Sequence, residues 1–250
     1  MLFKKISFYP MSKKAGEMIP PPSPSYLSNI PSWHKSLSKF LYQDKTFKYL
    51  GPELGNNLTA KSCLPLTDGF TAGYVFTLPF DIYTSKDENG KRIFTWSFHN
   101  LESAEEVPDV VNSRPQDIKK DLTGWNNMDG YEDLEYNWWP FWSVVTPPGY
   151  SCIFTHPINR IDLPFYTLGG IIDTDGWGTA GNHPFLIKKD WEGVIPAGTP
   201  IAQIIPFKRQ NWKHKVDKTK IDYYSKSILK RSYLLQGFYK IKVWKSKFYR

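Results

Sequence analysis

The chain has 250 residues, 40% hydrophobic and 16% aromatic, which is enough for a substantial core and too apolar for a disordered chain. Its two distant cysteines, Cys63 and Cys152, exclude a disulfide framework and a cysteine-based zinc cluster, leaving at most one bridge. No stretch approaches the ~20 apolar residues a membrane-spanning helix requires, and the net charge of +8 is unevenly placed.

Residues 1–10 read as a strand, with Leu2, Phe3, Ile6 and Phe8 apolar. The opening MLFKKISFYPMSKK has neither a long apolar run nor a small-residue cleavage site, so a secreted location is not expected. Pro20, Pro21, Pro22, Pro24 and Pro31 argue against a regular helix or central strand. An extended surface segment is expected there, anchored by Tyr26, Ile30 and Trp33. The run CLPLTDGFTAGYVFTLPFDIYTS predicts two strands joined through Asp68-Gly69. A hairpin turn at Asn89-Gly90 follows, and then a returning strand in which Ile93, Thr95 and Ser97 alternate with Phe94, Trp96 and Phe98. Residues 101–137 are polar and acidic and read as a long surface excursion with room for a short helix. The cluster Trp138-Trp139-Pro140-Phe141-Trp142 is too apolar to stand bare and belongs to a core, a subunit interface or a ligand groove. Strands resume around the Pro147-Pro148-Gly149 turn. They continue through turns at Gly169-Gly170, Asp175-Gly176 and Pro196-Ala197-Gly198. Helical periodicity is confined to residues 221–236. The fold class is therefore mostly β, with long surface loops and a few short helices. The expected organisation is a proline-rich N-terminal segment packed on the core (1–60), a core domain (61–207) and a basic aromatic tail (208–250).

Residues 208–250 hold 14 Lys and Arg against Asp217 and Asp222, a net of +12, which leaves −4 on the other 207 residues. Lys208, Arg209, Lys213, Lys230, Arg231, Lys242 and Lys245 are candidate phosphate contacts. Interleaved aromatics such as Trp212, Tyr223, Tyr224, Tyr239 and Trp244 suit base stacking. So many apolar anchors are unusual in a purely electrostatic arm, and they favour docking of the tail on its own domain, with the lysines left in water.

Residues 145–209 carry the densest motif signal. TPPGYSCIFTHPINR leads to LGGIIDTDGWG and then to IPAGTPIAQIIPFKR. Pro-Ala-Gly forces a tight turn, and Ile-Ala-Gln-Ile-Ile leaves it as a buried strand whose one amide, Gln203, needs hydrogen-bond partners. Asp173 either caps its hairpin or activates a water. The order of these motifs resembles the core of the dUTP pyrophosphatase and dCTP deaminase superfamily, the β-clip fold. Gly170–Asp175 matches its G-V-I-D-x-D hairpin, Ile195–Gln203 its I-x-P-G-x-R-I-A-Q strand, and Thr71–Pro79 its A-G-Y-D-L motif.

The resemblance implies a β-clip core, trimeric assembly and a nucleotide site drawn from Arg160, Asp173, Asp175, Trp177 and Gln203, with Mg2+ only if a nucleotide binds. Several family residues are missing. Gly176 stands where the base-stacking Tyr falls, Val75 replaces the Asp of A-G-Y-D-L, and no Glu follows the hairpin glycine. The tail has a single glycine, Gly237, where pyrophosphatases have a glycine-rich arm. These departures point to a non-enzymatic relative, with Asp173 the one catalytic candidate. Over nearly its full length the chain is also similar to an uncharacterised family of marine bacteriophages and some bacteria. The shared marks are Ile30-Pro31-Ser32-Trp33, Thr59 to Pro65, TPPGYSCIFTHPINR and GTPIAQIIPFKRQNW. That likeness implies a phage or bacterial origin, with which a virion or host-cytoplasmic location and a phage structural partner are consistent; nucleic acid is the partner the basic tail suggests. No cofactor is expected: the histidines His34, His99, His156, His183 and His214 show no metal-ligand spacing, and no P-loop, Rossmann glycine pattern or nucleophile elbow occurs.

Overall fold

The structure is a computed structural model that describes residues 4–40, 59–96, 111–113, 128–132, 136–178, 181–226 and 239–249. The chain divides into two compact units, residues 1–208 with Tyr249, and residues 209–248 with Arg250.

The first unit is mostly β, built from antiparallel sheets. Its spine is a five-stranded sheet whose longest member is β14 (Pro200–Lys208). On one side of β14 lies β9 (Tyr150–Thr155), itself paired with β11 (Gly170–Ile172). On the other lies β3 (Tyr74–Thr77), edged by the two-residue β2 (Ser23–Pro24). The IIDTD and PIAQII segments thus flank the same strand. The hairpin of β4 (Ile82–Lys86) and β5 (Arg92–Trp96) forms as expected, with β13 (Gly193–Ile195) added beside β4. Gly90 takes φ +74° at its tip, and the Asp87 carboxylate accepts from Asn89 N and Lys91 N. A four-stranded sheet runs β10 (Phe165–Thr167), β12 (His183–Ile187), β7 (Tyr136–Trp138) and β6 (Val111–Ser113). The last pair, β1 (Ser7–Pro10) and β8 (Trp142–Val145), brings the expected N-terminal strand onto the body.

Buried aromatics and aliphatics from these sheets make one core. Trp138 stacks on Phe185 with ring centroids 3.8 Å apart, and both are fully buried. The tryptophan cluster is therefore core at Trp138 and Trp142. Tyr249 packs edge-on against Tyr74 at 6.0 Å.

Two expectations are corrected. The proline-rich segment is not simply extended. It carries α1 (Lys13–Met18), α2 (Ser25–Ser28) and α3 (Ser32–Ser36), with Pro24 and Pro31 at the N-caps of the latter two. A proline there loses no helical hydrogen bond and pre-sets the backbone, so the residues that forbid a helix interior permit a helix start. From Ile19 to His34 the buried residues are Ile19, Pro22, Ser25, Asn29, Pro31 and His34; of the expected anchors, Ile30 is half-buried and Tyr26 and Trp33 are exposed. Likewise the Asp68-Gly69 dipeptide lies inside a helix, α4 (Leu64–Thr71), which starts with Pro65 in its first turn. The acidic excursion contributes at least one strand, β6, with Val111 buried; most of residues 101–135 lies outside the described residues. After α4, Gly73 at φ +66° turns the chain into β3, and a Cβ there would stand 1.9 Å from the Ile204 carbonyl oxygen. Only glycine lets β3 meet β14 at this point.

In the second unit, residues 222–226 are helical and a π-helical turn spans Tyr239–Val243. The rest of the predicted 221–236 helix lies outside the described residues. No helix among the described residues is long and apolar enough to cross a membrane.

Candidate functional site

The hairpin after β11 meets the Pro147-Pro148-Gly149 turn before β9, and their polar groups interlock. Ser151 Oγ donates to Asp173 Oδ1 at 2.7 Å, and Gly149 N donates to Asp175 Oδ2 at 2.7 Å. The Asp173 carbonyl accepts from Gly176 N and Trp177 N, which closes the turn. Beneath it, the buried hydroxyls of Thr146 and Thr174 lie 2.7 Å apart, and Thr174 Oγ1 reaches Cys152 Sγ at 3.4 Å. Burial raises the Cys152 thiol pKa, with the Thr174 hydroxyl opposing, so this sulfur stays protonated at neutral pH and is a poor nucleophile. Asp173 is exposed, as are Trp177 and Ile171 beside it.

Gln203 lies in the middle of β14 and is completely buried. Its Oε1 accepts from Ile158 N at 2.8 Å and from Asn29 Nδ2 at 3.3 Å. Its Nε2 donates to Gly69 O at 3.0 Å and Ala72 O at 2.6 Å. One amide thereby ties β14 to the end of α4, to the loop after β9 and to the C-cap of α2. Asn29 Nδ2 also donates to Phe70 O, and Ser25 Oγ to Ala72 O, so the clasp extends into the N-terminal segment.

Arg160 forms a bidentate pair with Asp162, with Nε–Oδ1 and Nη2–Oδ2 both 2.9 Å, and Nη1 reaches Asn29 O at 3.4 Å. Burial pulls the Asp162 carboxyl upward, but the hydrogen bonds and charge of Arg160 outweigh it and hold the group below its usual range. His156, on the same loop, accepts at Nδ1 from Thr167 N at 3.2 Å, which assigns its proton to Nε2 and a hydrogen bond to Arg160 O at 3.0 Å. Burial lowers its pKa, and the ring stacks on Tyr166 at 4.8 Å.

Of the five site candidates, then, Asp173, Asp175 and Trp177 share one hairpin, while Gln203 and Arg160 belong to a neighbouring clasp centred on Asn29. The Gln203 amide makes four hydrogen bonds within the protein, and the Arg160 guanidinium is held by Asp162 and the Asn29 carbonyl.

A second polar centre lies on the inward face of β5. Arg92 has a fully buried guanidinium, bound to Glu132 Oε1 through Nε (3.1 Å) and Nη2 (2.5 Å) and to Trp191 O through Nη1 (2.6 Å). Tyr136 OH donates to Glu132 Oε2 at 3.3 Å, and burial followed by the Glu132 charge pushes this phenol far above its ordinary pKa. The signal was in the strand parity: Arg92 shares its face with Phe94 and Trp96, the inward side of β5.

In the second unit Arg209, Lys213, Lys242 and Lys245 are exposed, as is Lys208 at the end of β14; Lys230 and Arg231 lie outside the described residues. Trp212, Tyr223, Tyr224, Tyr239 and Phe248 are also exposed, and Trp244 is half-buried. Among the described residues no group of three or more His, Cys, Asp or Glu side chains could hold a metal ion. No family model, curated protein or solved structure matches the chain.

Proposed function

We propose that this chain is a non-enzymatic β-clip protein, of phage or related bacterial origin, that acts as a structural or binding component and assembles as a homotrimer. The observation that carries the reading is the engagement of Gln203. Where the resembled nucleotide enzymes aim this amide at a ligand, here both its oxygen and its nitrogen are committed to Ile158, Asn29, Gly69 and Ala72. The pairing of Arg160 with Asp162 supports the same view, since a phosphate would have to displace a bidentate carboxylate. Support for assembly comes from the outer face of the β13-β4-β5 sheet, where Val194, Tyr83 and Ile93 are each at least 40% exposed. Thermal-shift titration with dUTP, dCTP and other nucleotides in Mg2+ tests the reading; no stabilisation is expected. Light scattering on the eluting protein is expected to give three times the chain mass, and a stable monomer would overturn the trimer.

One observation favours a second reading, a nucleotide-binding protein or residual pyrophosphatase. Asp173 is an exposed carboxylate oriented by Ser151 and lies close in sequence to the exposed Trp177. A saturable nucleotide shift abolished by Asp173→Asn would establish it in place of the first.

A further inference from the structure

We propose that residues 209–226 form a binding arm for single-stranded nucleic acid, with exposed rings stacking on bases and the surrounding lysines neutralising phosphates. The inference is independent of the β-clip reading and rests on the second unit alone.

The first observation is the charge. Residues 208–250 carry a net +12, and their two acids are already occupied: Asp217 accepts from Thr219 and pairs with Lys215 at 3.5 Å, and Asp222 pairs with Lys226 at 3.9 Å. The second is exposure. Every described residue from 208 to 226 is exposed, including Trp212 at 86%, Tyr223 at 74% and Tyr224 at 72%. Large rings kept in water beside cations are available contact surface, and each has a flat face on which any base can stack.

The arrangement selects among polyanions. A membrane-surface arm segregates its apolar and cationic residues on the two faces of a continuous helix. Here rings and cations alternate along the chain, as in Arg209, Trp212, Lys213, Lys215 and again Lys220, Tyr223, Tyr224, Lys226, and residues 210–216 have no regular structure. Duplex DNA hides its base faces inside the stack and would use the lysines but not the rings. A single strand presents one phosphate and one base face per nucleotide, which matches both residue types at once.

The test uses the full chain, a labelled oligo(dT) of roughly 25 nucleotides, a matched duplex, and phosphatidylserine vesicles, across a salt series. Two variants accompany it, Trp212→Ala/Tyr223→Ala/Tyr224→Ala and Lys213→Gln/Lys215→Gln/Lys220→Gln. All six side chains are exposed, so the folded body should survive, which circular dichroism verifies. The ring variant is expected to bind oligo(dT) at least about tenfold more weakly, with its duplex affinity unchanged. The lysine variant should make the plot of log affinity against log salt shallower by about two. The proposal is overturned if oligo(dT) is not bound at low salt, or if ring removal leaves its affinity unaltered. It also fails if vesicles, rather than the single strand, show the dependence on the rings.

Discussion

Replacing Gln203 by leucine separates a structural amide from a ligand-binding one. Leucine keeps the approximate volume and removes every polar atom. Asn29 Nδ2 would retain Phe70 O, and Ala72 O would retain Ser25 Oγ. Ile158 N and Gly69 O would lose the bonds that Gln203 supplies. At about 1–3 kcal/mol for each orphaned group, the loss should be about 2–6 kcal/mol. In a body of this size that lowers Tm by ~5–20 °C. Denaturant unfolding followed by tryptophan fluorescence gives the number directly. Gln203→Glu refines the test. Its carboxylate would face the carbonyls of Gly69 and Ala72, which favours the protonated form and raises its folded pKa above the unfolded value. Its stabilising contribution is then present at low pH and lost as pH rises, so the deficit against wild type should narrow from pH 7 to pH 5. A Gln203→Leu protein with native stability would refute the reasoning, because an amide that can be deleted without cost is not holding four segments together.

Three further outcomes follow from the same geometry. Gly73→Ala should prevent folding or cost well over the roughly 1–2 kcal/mol expected for Gly90→Ala, since both glycines have positive φ but only Gly73 faces a carbonyl oxygen; soluble yield and denaturation midpoints compare them. Arg92→Met should cost about 3–5 kcal/mol by leaving the half-buried Glu132 with only Lys86, 3.7 Å away, and adding Glu132→Gln should return part of that loss, giving a non-additive double-mutant cycle. Burial depresses the pKa of both His156 and His34, with the Lys61 charge also acting on His34. The unfolded chain therefore takes up protons first as pH falls through about 6.5, and stability present above that pH should decline below it by at most about 1.4 kcal/mol per pH unit per histidine. Equal denaturation midpoints at pH 7.5 and 5.5 would contradict this.

What the residues disclosed in advance was turn chemistry. Asn89-Gly90, Pro147-Pro148-Gly149 and Pro196-Ala197-Gly198 announce their turns because each turn needs the backbone those residues supply. The errors fell where the same residue types serve two purposes. Asp68-Gly69 reads as a hairpin turn, yet sits within α4, where Ile158 Cγ2 would come within 3.0 Å of any Cβ at position 69. Pro24 and Pro31 break helices in their interiors and begin them at their ends. Long-range partners were not legible at all: Gln203 announced a need for hydrogen bonds but not that Asn29, 174 residues away, would meet part of it.

This bears on how far a motif can carry function. In the stretch from Gly170 to Gln203, the residues that resemble the nucleotide enzymes' motifs mostly serve the turns and buried face of their own short strands. Asp173 joins its hairpin to Ser151, Asp175 joins the opposing turn at Gly149, and Gln203 closes the seam between β14 and α4. Each of these bonds would select the same residue with or without a ligand. The residues with no such structural duty, those that stack a base or donate a catalytic carboxylate, are the ones absent here, at Gly176 and after Gly178. A match to those enzymes in this stretch therefore does not by itself mark a ligand site, because the fold of the strands asks for the same side chains.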